Sequence, residues 1–420
     1  MGTVKERRRV MIQNILRLLL LGILLFPIWG QAQTIAVRAG RIVDPDTGKI
    51  SSTQTILVQQ GKITAIGPSI NVPMGATVID LSRFTVLPGL FDAHTHLCMT
   101  VKKIRDNGRY FYTTLNDPDS FRAIEGVANA REMLESGFTS VRDIGNEGNY
   151  ACSSLRRAIE TGIVPGPTIV NAGRIIAPYG GQFQLQQDKP KLGEPEYFYA
   201  DTRDEMVKAI RENIHFGARV IKIVVDDQKY IYTSDDIRFM VEEAGRAGLR
   251  LAAHCWTRQG AHNAALAGVA SIEHGFDMTD DDLKLAKKNN VALVGTEYLA
   301  LSIPGTNDQW IDRLRRAYRI GVPLVYGTDV IDAVEGQTRG TLAISGIEPW
   351  IKAGVSASAL VKAMTIDAAR LLGVDKDRGA LRIGLAADII ATAENPIDNA
   401  NALKHVVFVM KDGVVIKKEP

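Results

Sequence analysis

The chain has 420 residues, of which 45% are hydrophobic and 23% charged, and its formal net charge is +3. This is the composition of an ordinary globular protein with enough apolar residues for a large core. The small net charge excludes a protein that depends on a strongly basic surface to bind nucleic acid.

The first 32 residues predict an export signal. They carry a net charge of +4, which leaves the remaining residues at −1. A basic stretch precedes an apolar run over residues 18–28, and Gly30-Gln31-Ala32 offers small residues for a signal peptidase. The run is shorter than the roughly 20 residues of a membrane span, although an uncleaved anchor is the alternative. We expect residues 1–32 to be a signal peptide and the mature protein to be periplasmic or secreted, without a membrane partner.

Both ends of the predicted mature chain have β character. Residues 56–58 and 63–66 flank a Gln-Gln-Gly-Lys turn, and residues 406–410 and 414–417 flank Lys-Asp-Gly. Both patterns are typical of hairpins. We predict that residues 33–82 and 377–420 pair to form one small β-sandwich domain.

Residues 83–376 alternate short apolar segments with amphipathic ones. Thr202 and Glu205 predict a helical capping box, Ser120 is expected to cap a helix over 121–134, and Thr279 begins another helix. Eight strand–helix repeats favour a (β/α)8 TIM barrel over an open doubly wound sheet, whose Gly-x-Gly-x-x-Gly signature is missing. The predicted strands cover residues 84–90, 139–143, 168–172, 220–225, 251–254, 271–274, 292–295 and 324–327.

Two segments of this region, residues 98–119 and 177–200, contain no clear helix or strand pattern. Both are rich in Gly, Pro, Gln, Tyr or Asp. Long loops on a barrel commonly carry binding residues, so we expect these two to shape the substrate entrance.

Metal-binding side chains interrupt the predicted strands near their carboxyl ends. His94 and His96 are two residues apart and therefore project from the same face of a strand. His254, His274 and Asp329 follow at the ends of later strands. A barrel collects its active-site residues at this end of its strands, and imidazole and carboxylate groups bind transition metals. The sequence therefore predicts a metal site.

One lysine, Lys222, lies within the apolar strand predicted over residues 220–225. Burial is costly for a lysine and lowers its pKa, which leaves a neutral, nucleophilic amine. Such an amine can add CO2 and form a carbamate, an anion with two oxygens that can bridge two cations. A Schiff-base lysine is the alternative, but that chemistry does not require four histidines nearby.

The three cysteines, Cys98, Cys152 and Cys255, are too few for a disulfide framework. Cys98 and Cys255 lie close in sequence to predicted metal-binding histidines, so they are candidates for additional ligands. For Cys255 a small buried packing residue is the stronger expectation, because neighbours on a strand point to opposite faces.

This pattern resembles the amidohydrolase superfamily of metal-dependent hydrolases. The resemblance rests on the histidine pair, lysine, histidine, histidine and aspartate on strands 1, 4, 5, 6 and 8. It extends to Pro-Gly-Leu-Phe-Asp-Ala-His-Thr-His at 88–96, Ser-Ile-Glu-His-Gly at 271–275, Gly-Thr-Asp at 327–329 and Gly-x-x-Ala-Asp at 384–388. It covers the predicted mature chain. The chain looks most like the imidazolonepropionase-related branch, which includes Xaa-Pro dipeptidases, carboxypeptidases and ochratoxin-type amide hydrolases.

The resemblance implies two divalent metal ions, with zinc as the first expectation. Hydroxide between them would attack an amide carbonyl that the outer metal polarises, and Asp329 would carry its proton to the leaving nitrogen. Imidazolonepropionase itself is mononuclear and lacks the bridging lysine, so Lys222 argues against that activity. The implied ligands are His94, His96 and Asp329 for the buried metal, His254 and His274 for the outer metal, and carbamylated Lys222 as the bridge.

Substrate recognition departs from the family pattern. Dipeptidase-like relatives commonly carry a Tyr two residues after the strand 5 histidine and a His after Gly-Gly in the loop after strand 3, and both are linked to binding a substrate carboxylate. Trp256 and Gln182 stand at those positions here. Trp256 would suit an apolar pocket. The candidate substrate-binding residues are Gln182, Tyr230, Trp256 and Arg258, with Lys229 and Tyr232 in similarly placed loops.

The leading prediction is a binuclear amidohydrolase that cleaves the carbon–nitrogen bond of a dipeptide or an N-acyl amino acid. The alternatives are hydrolysis of a cyclic amide, an ester or a xenobiotic amide, or a deamination. A non-catalytic binding protein would be expected to have lost metal ligands, whereas all six are present. The predicted partner is a small-molecule substrate, and the barrel surface leaves room for a homo-oligomer.

Overall fold

The computed structural model describes residues 34–303, 305 and 307–419, so the predicted signal peptide lies outside the described residues. Within that described part, no helix combines the length and the hydrophobicity of a membrane span. The strands are Ile35–Val43, Ile50–Gln59, Lys62–Gly67, Thr77–Pro88, Leu90–Thr95, Val101–Lys102, Phe138–Asp143, Thr168–Asn171, Ile175–Ala177, Tyr197–Tyr199, Ile221–Val224, Leu251–Cys255, Ser271–His274, Ala292–Val294, Asp332–Ala333, Ile389–Thr392, Val406–Lys411 and Val414–Lys418. The α-helices are Phe111–Asn116, Asp119–Glu135, Ala151–Glu160, Arg203–His215, Ser234–Arg246, Arg258–Ala267, Asp280–Lys288, Leu299–Ser302, Asn307–Ile320, Arg339–Ser345, Ile347–Lys352, Ala357–Ala363 and Ile366–Leu372, and Ala400–Lys404 is a 3-10 helix.

Strands from the two ends of the described chain form one seven-stranded sheet, with Thr77–Pro88 between Ile389–Thr392 and Ile35–Val43. The edge strand Lys62–Gly67 also contacts the C-terminal segment, because Lys62 forms an antiparallel bridge with Ala386. The inward side chains of both segments share a single apolar core. A sandwich-like sheet built from both termini is therefore confirmed, as are the two predicted hairpins.

Eight parallel segments close into the predicted barrel. The closing segment is residues 324–327, where Leu324 bridges Leu293 and the Tyr326 carbonyl accepts a hydrogen bond from Ala93 N at 2.9 Å. The (β/α)8 fold class is confirmed. The other seven strands are Leu90–Thr95, Phe138–Asp143, Thr168–Asn171, Ile221–Val224, Leu251–Cys255, Ser271–His274 and Ala292–Val294.

The predicted first barrel strand over residues 84–90 is wrong. The apolar run is divided between Thr77–Pro88, which belongs to the terminal sheet, and Leu90–Thr95, which begins the barrel. Gly89 lies between them, where an added Cβ would come within 2.1 Å of Thr139 Oγ1. This close packing against the second strand fixes the break. As a result His94 lies within the first barrel strand and His96 follows its last residue.

Helix starts follow the predicted capping chemistry where a side chain can accept from the N3 amide. Thr202 forms a capping box with Glu205, and Thr279 forms one with Asp282. The predicted cap at Ser120 is wrong, because that helix begins at Asp119 after Pro118. Proline fixes its own φ and needs no amide partner, so it suits a helix start.

The two segments without predicted elements contain short ones. Phe111–Asn116 is helical, and Val101–Lys102 pairs with Asp332–Ala333. Tyr197–Tyr199 is a strand at the edge of the barrel sheet. Tertiary contacts stabilise them, including the edge-to-face contact of Phe111 with Phe183 at a ring centroid distance of 6.0 Å, and such contacts leave no periodic pattern in the sequence.

Candidate metal centre

The six predicted ligands lie around one cavity at the carboxyl end of the barrel strands. Ring centroids are 4.9 Å apart for His94 and His274, and 4.5 Å apart for His254 and His274. Asp329 Oδ1 lies 3.2 Å from His96 Nε2 and 3.7 Å from His94 Nε2. A ligand atom each from His94, His274 and Asp329 falls within 4.8 Å of the others. This spacing is compatible with shared metal coordination.

Each histidine gives one ring nitrogen to a protein partner. Nδ1 of His94 lies 2.9 Å from Glu273, Nδ1 of His96 donates to the Gly145 carbonyl, and Nδ1 of His274 lies 2.8 Å from Thr296 Oγ1. For His254 the partner is Asp227, 3.0 Å from Nε2. Such partners orient a metal-binding imidazole and fix its tautomer. The second ring nitrogen makes none of these contacts, and that of His96 lies 3.2 Å from Asp329 Oδ1, another predicted ligand.

Burial keeps two of these imidazoles in the neutral form that binds metals. It lowers the pKa of His94 to about 4 and the pKa of His274 well below its usual value. Burial opposes ionisation of Asp329, but the neighbouring His94 and His96 lower its pKa below the usual range. The donor set is therefore imidazole with one carboxylate, which suits zinc and related divalent ions.

Lys222 is 2% exposed, and burial lowers its pKa to about 8. In the parallel register it lies opposite Ala252, two residues before His254, so both side chains point to the same face. It lines the same cavity as the histidines. These surroundings increase the fraction of the neutral amine that carbamate formation requires.

Two of the six residues have backbone conformations that are unusual outside glycine. His274 has φ 66° and Asp329 has φ 60°, both in the left-handed region. Such strain persists only where the surrounding structure imposes it, and it concentrates at functional sites. Gly327 permits the close approach of the last barrel strand to the first, because a Cβ there would lie 2.9 Å from His94 Cβ.

A buried charge network that we did not predict from the sequence supports the first histidine. Glu273 accepts from Arg142 Nη2 at 2.7 Å and contacts His94, and Glu273 and Arg142 are 0% and 2% exposed. Asp92 accepts from the His94 and Thr328 amides. Charged residues inside fully buried strands were the available sequence signal.

Replacing Glu273 with glutamine is expected to destabilise the metal-free protein by about 3 kcal/mol, since it leaves the buried Arg142 without its ion-pair partner. It is also expected to weaken zinc binding roughly 10- to 100-fold, because His94 loses the carboxylate that orients it. Urea unfolding and competition with a chromogenic chelator measure the two effects. Glu242→Gln, on an exposed helical face, is the control.

The difference in the free energy of unfolding between the unaltered protein and Glu273→Gln should depend on pH. Burial alone would raise the pKa of Glu273, but Arg142 and His94 lower it to about 2, from the usual 4.5. A folded-state pKa below the unfolded value stabilises the protein above pH 4.5, and this contribution is lost as the pH falls towards 2. A difference that is absent at pH 7, or constant between pH 4.5 and 3, would contradict this role.

The candidate substrate-binding residues separate into two groups. Gln182 and Trp256 line the cavity. Tyr230 is 52% exposed and outside the lining. Arg258 is also outside, because its Nε lies 3.2 Å from Asp282, the residue that completes the capping box of the next helix. Tyr230 and Arg258 therefore lie outside the cavity lining, and their contact with substrate stays a prediction.

The cavity has a volume of about 240 Å³. A larger depression of about 680 Å³ lies at the opposite end of the barrel and contains none of the predicted ligands. The cysteines, all three within the described residues, are buried and form no disulfide. The cavity is lined by His94, His96, Met99, Tyr110, Asn146, Ile175, Gln182, Lys222, His254, Trp256, His274, Leu299, Ile303, Asp329 and Ile331.

Residues 85–417 match the sequence model of the amidohydrolase family, and the chain belongs to that family. It is a metal-dependent hydrolase that acts on carbon–nitrogen bonds.

Individual proteins show the same relationship. The ochratoxinase of Aspergillus niger is 26% identical over 92% of this chain and 87% of its own length. The imidazolonepropionase of Symbiobacterium thermophilum is 24% identical over 86% and 87%. The crystal structure of a Xaa-Pro dipeptidase with bound methionine in its active site superimposes with a TM-score of 0.81 and 27% identity, covering 91% of this chain and 99% of that one.

Proposed function

We propose that the chain hydrolyses the amide bond of a small molecule with two divalent metal ions, zinc in the first instance. The observation that supports this most strongly is the arrangement of the four histidines, each of which lines a common cavity and has one ring nitrogen held by a protein partner. The proposed ligands are His94, His96, Lys222 as its carbamate, His254, His274 and Asp329.

Metal ions bound here would polarise the amide carbonyl and make hydroxide available near neutral pH. The protein's own contribution to proton transfer is Asp329. Its lowered pKa keeps it ionised, so it can accept the proton of the attacking water and deliver it to the leaving nitrogen. Water adds across the bond, and the products are a carboxylic acid and an amine.

The relatives favour two substrate classes. The Xaa-Pro dipeptidase favours a dipeptide or N-acyl amino acid, which was the leading prediction from the sequence. The ochratoxinase favours the alternative, a xenobiotic amide. We propose further that residues 1–32 are removed, that the mature protein acts in the periplasm or outside the cell, and that copies can associate. A full-length, membrane-bound product in cell fractions would contradict the proposed export.

Metal removal tests the proposed chemistry. Purified protein would be assayed for amine release from dipeptides, N-acyl amino acids and neutral amides, before and after dialysis against a strong chelator. We expect activity to disappear with the metal and to return when zinc and bicarbonate are added. Amide hydrolysis that persists in protein shown to be metal-free would contradict the proposal.

A further inference from the structure

The side chains around the cavity contain almost no positive charge. Among the residues that the structure describes, the lining includes no arginine and a single lysine, Lys222, which the proposed function engages as the metal bridge. A substrate carboxylate at some distance from the scissile bond would therefore lose its hydration without gaining an ion-pair partner. Burial of an unpaired carboxylate is strongly unfavourable.

Two cations that lie outside the lining, Arg258 and Lys103, already have carboxylate neighbours. Arg258 is paired with Asp282. Lys103 lines an adjoining surface groove, where it is exposed and its charge acts on Asp332. A carboxylate close to the histidines would compete with the scissile carbonyl for the metals and would not position it.

The polar groups of the lining are hydrogen-bonded to neighbouring side chains. Gln182 Nε2 donates to Asp227 at 2.5 Å, and Gln182 Oε1 accepts from the Tyr197 hydroxyl at 2.8 Å. Asn146 Nδ2 donates to the same hydroxyl, and the Tyr110 hydroxyl contacts the Gln182 carbonyl. This wall therefore offers few unused hydrogen-bond donors.

The opposite wall is apolar. Trp256, Leu299 and Ile303 line it, and Trp256 is 38% exposed. The indole is held by edge-to-face contacts with Phe276 and Trp310, at ring centroid distances of 5.1 and 6.4 Å. A rigid, partly exposed indole of this kind suits an aromatic or aliphatic group.

We infer that the cavity selects amides that carry no free carboxylate and whose aromatic or aliphatic group packs against Trp256. This inference rests on the proposed function and specifies its substrate class. It departs from the dipeptide and N-acyl amino acid prediction, because those substrates bring a carboxylate that the cavity does not pair.

Two compounds that differ only in the carboxylate test the inference. N-benzoyl-phenethylamine and N-benzoyl-L-phenylalanine both release benzoate. We expect kcat/KM to be at least about 10-fold higher for the neutral compound, the ratio that corresponds to about 1.4 kcal/mol. Equal or faster hydrolysis of the acid would overturn the inference.

Binding separates this inference from the proposed function. The binding of each compound to zinc-loaded Asp329→Asn protein can be measured by titration calorimetry. This comparison requires no turnover. Tighter binding of the neutral compound supports the inference even if neither is hydrolysed by the unaltered enzyme, a result that would count against the proposed function alone. Equal or tighter binding of the acid, or no binding of the neutral compound, overturns the inference.

A charge placed on the apolar wall should reverse the preference. Trp256→Arg supplies a cation, and Trp256→Gln is the matched control, because both variants lose the indole and only one gains charge. We expect the acid-to-neutral ratio of kcat/KM, or of binding constants, to be about 10-fold higher in Trp256→Arg than in Trp256→Gln. Identical ratios would show that a missing cation does not govern selection and would overturn the inference.

Discussion

Asp329→Asn is expected to lower kcat by about 10²- to 10⁴-fold, the usual contribution of a positioned general base. The asparagine retains an oxygen that can bind a metal, but it cannot accept the proton of the attacking water. Asp329 lies beside His94 and His96 with a lowered pKa, so the native carboxylate is ionised and poised for this role. Zinc content should therefore fall much less than turnover.

Steady-state kinetics and elemental analysis on the same preparation separate these two effects. Asp332→Asn is the control, since Asp332 lines the adjoining groove and not the cavity, and its kcat should stay close to the unaltered value. Full activity in Asp329→Asn would remove Asp329 from proton transfer. Equal losses of zinc and activity would reduce it to a metal ligand.

Lys222→Ala is expected to abolish most of the activity and to reduce metal content. Without a bridging anion two cations repel each other, and the outer one would be held by His254 and His274 alone. A loss of about 4 kcal/mol of transition-state stabilisation corresponds to about a 10³-fold fall in kcat/KM.

Chemical rescue gives this prediction its control. Lys222→Ala leaves a gap in the buried strand that acetate can enter, and its carboxylate offers the two oxygens of the missing carbamate. Lys222→Met fills the same gap with an apolar side chain. We expect acetate to restore activity and zinc content to Lys222→Ala and not to Lys222→Met. Equal behaviour of the two variants, or unaltered activity in either, would contradict a bridging role.

The residues that bear metal-binding groups were predictable from the sequence because their chemistry is rare in apolar strands. His94, His96, His254 and His274 account for most of the chain's histidines, and each follows or ends a short apolar run. Strand periodicity predicts that His94 and His96 share one face. Because barrel active sites lie at the carboxyl ends of the strands, all four histidines were expected at that end. The same reasoning identified Lys222, because a lysine within an apolar strand requires an explanation.

The parts that the sequence did not reveal depend on contacts between distant segments. The apolar run before the first histidine is continuous, so its division at Gly89 becomes visible only through the close approach of Thr139. Arg258 has a side chain that could bind a substrate carboxylate, but it forms an ion pair with Asp282, which lies 24 positions later in the sequence. Glu273 lies beside a predicted ligand, and its role depends on Arg142 from another strand.

The most direct test measures metal and carbamate on one preparation of purified protein that has been incubated with zinc and ¹³C-bicarbonate. The account predicts two zinc ions per chain and a ¹³C carbamate signal that is missing from Lys222→Ala. Protein without stoichiometric metal, with an unmodified amine at Lys222, would contradict it.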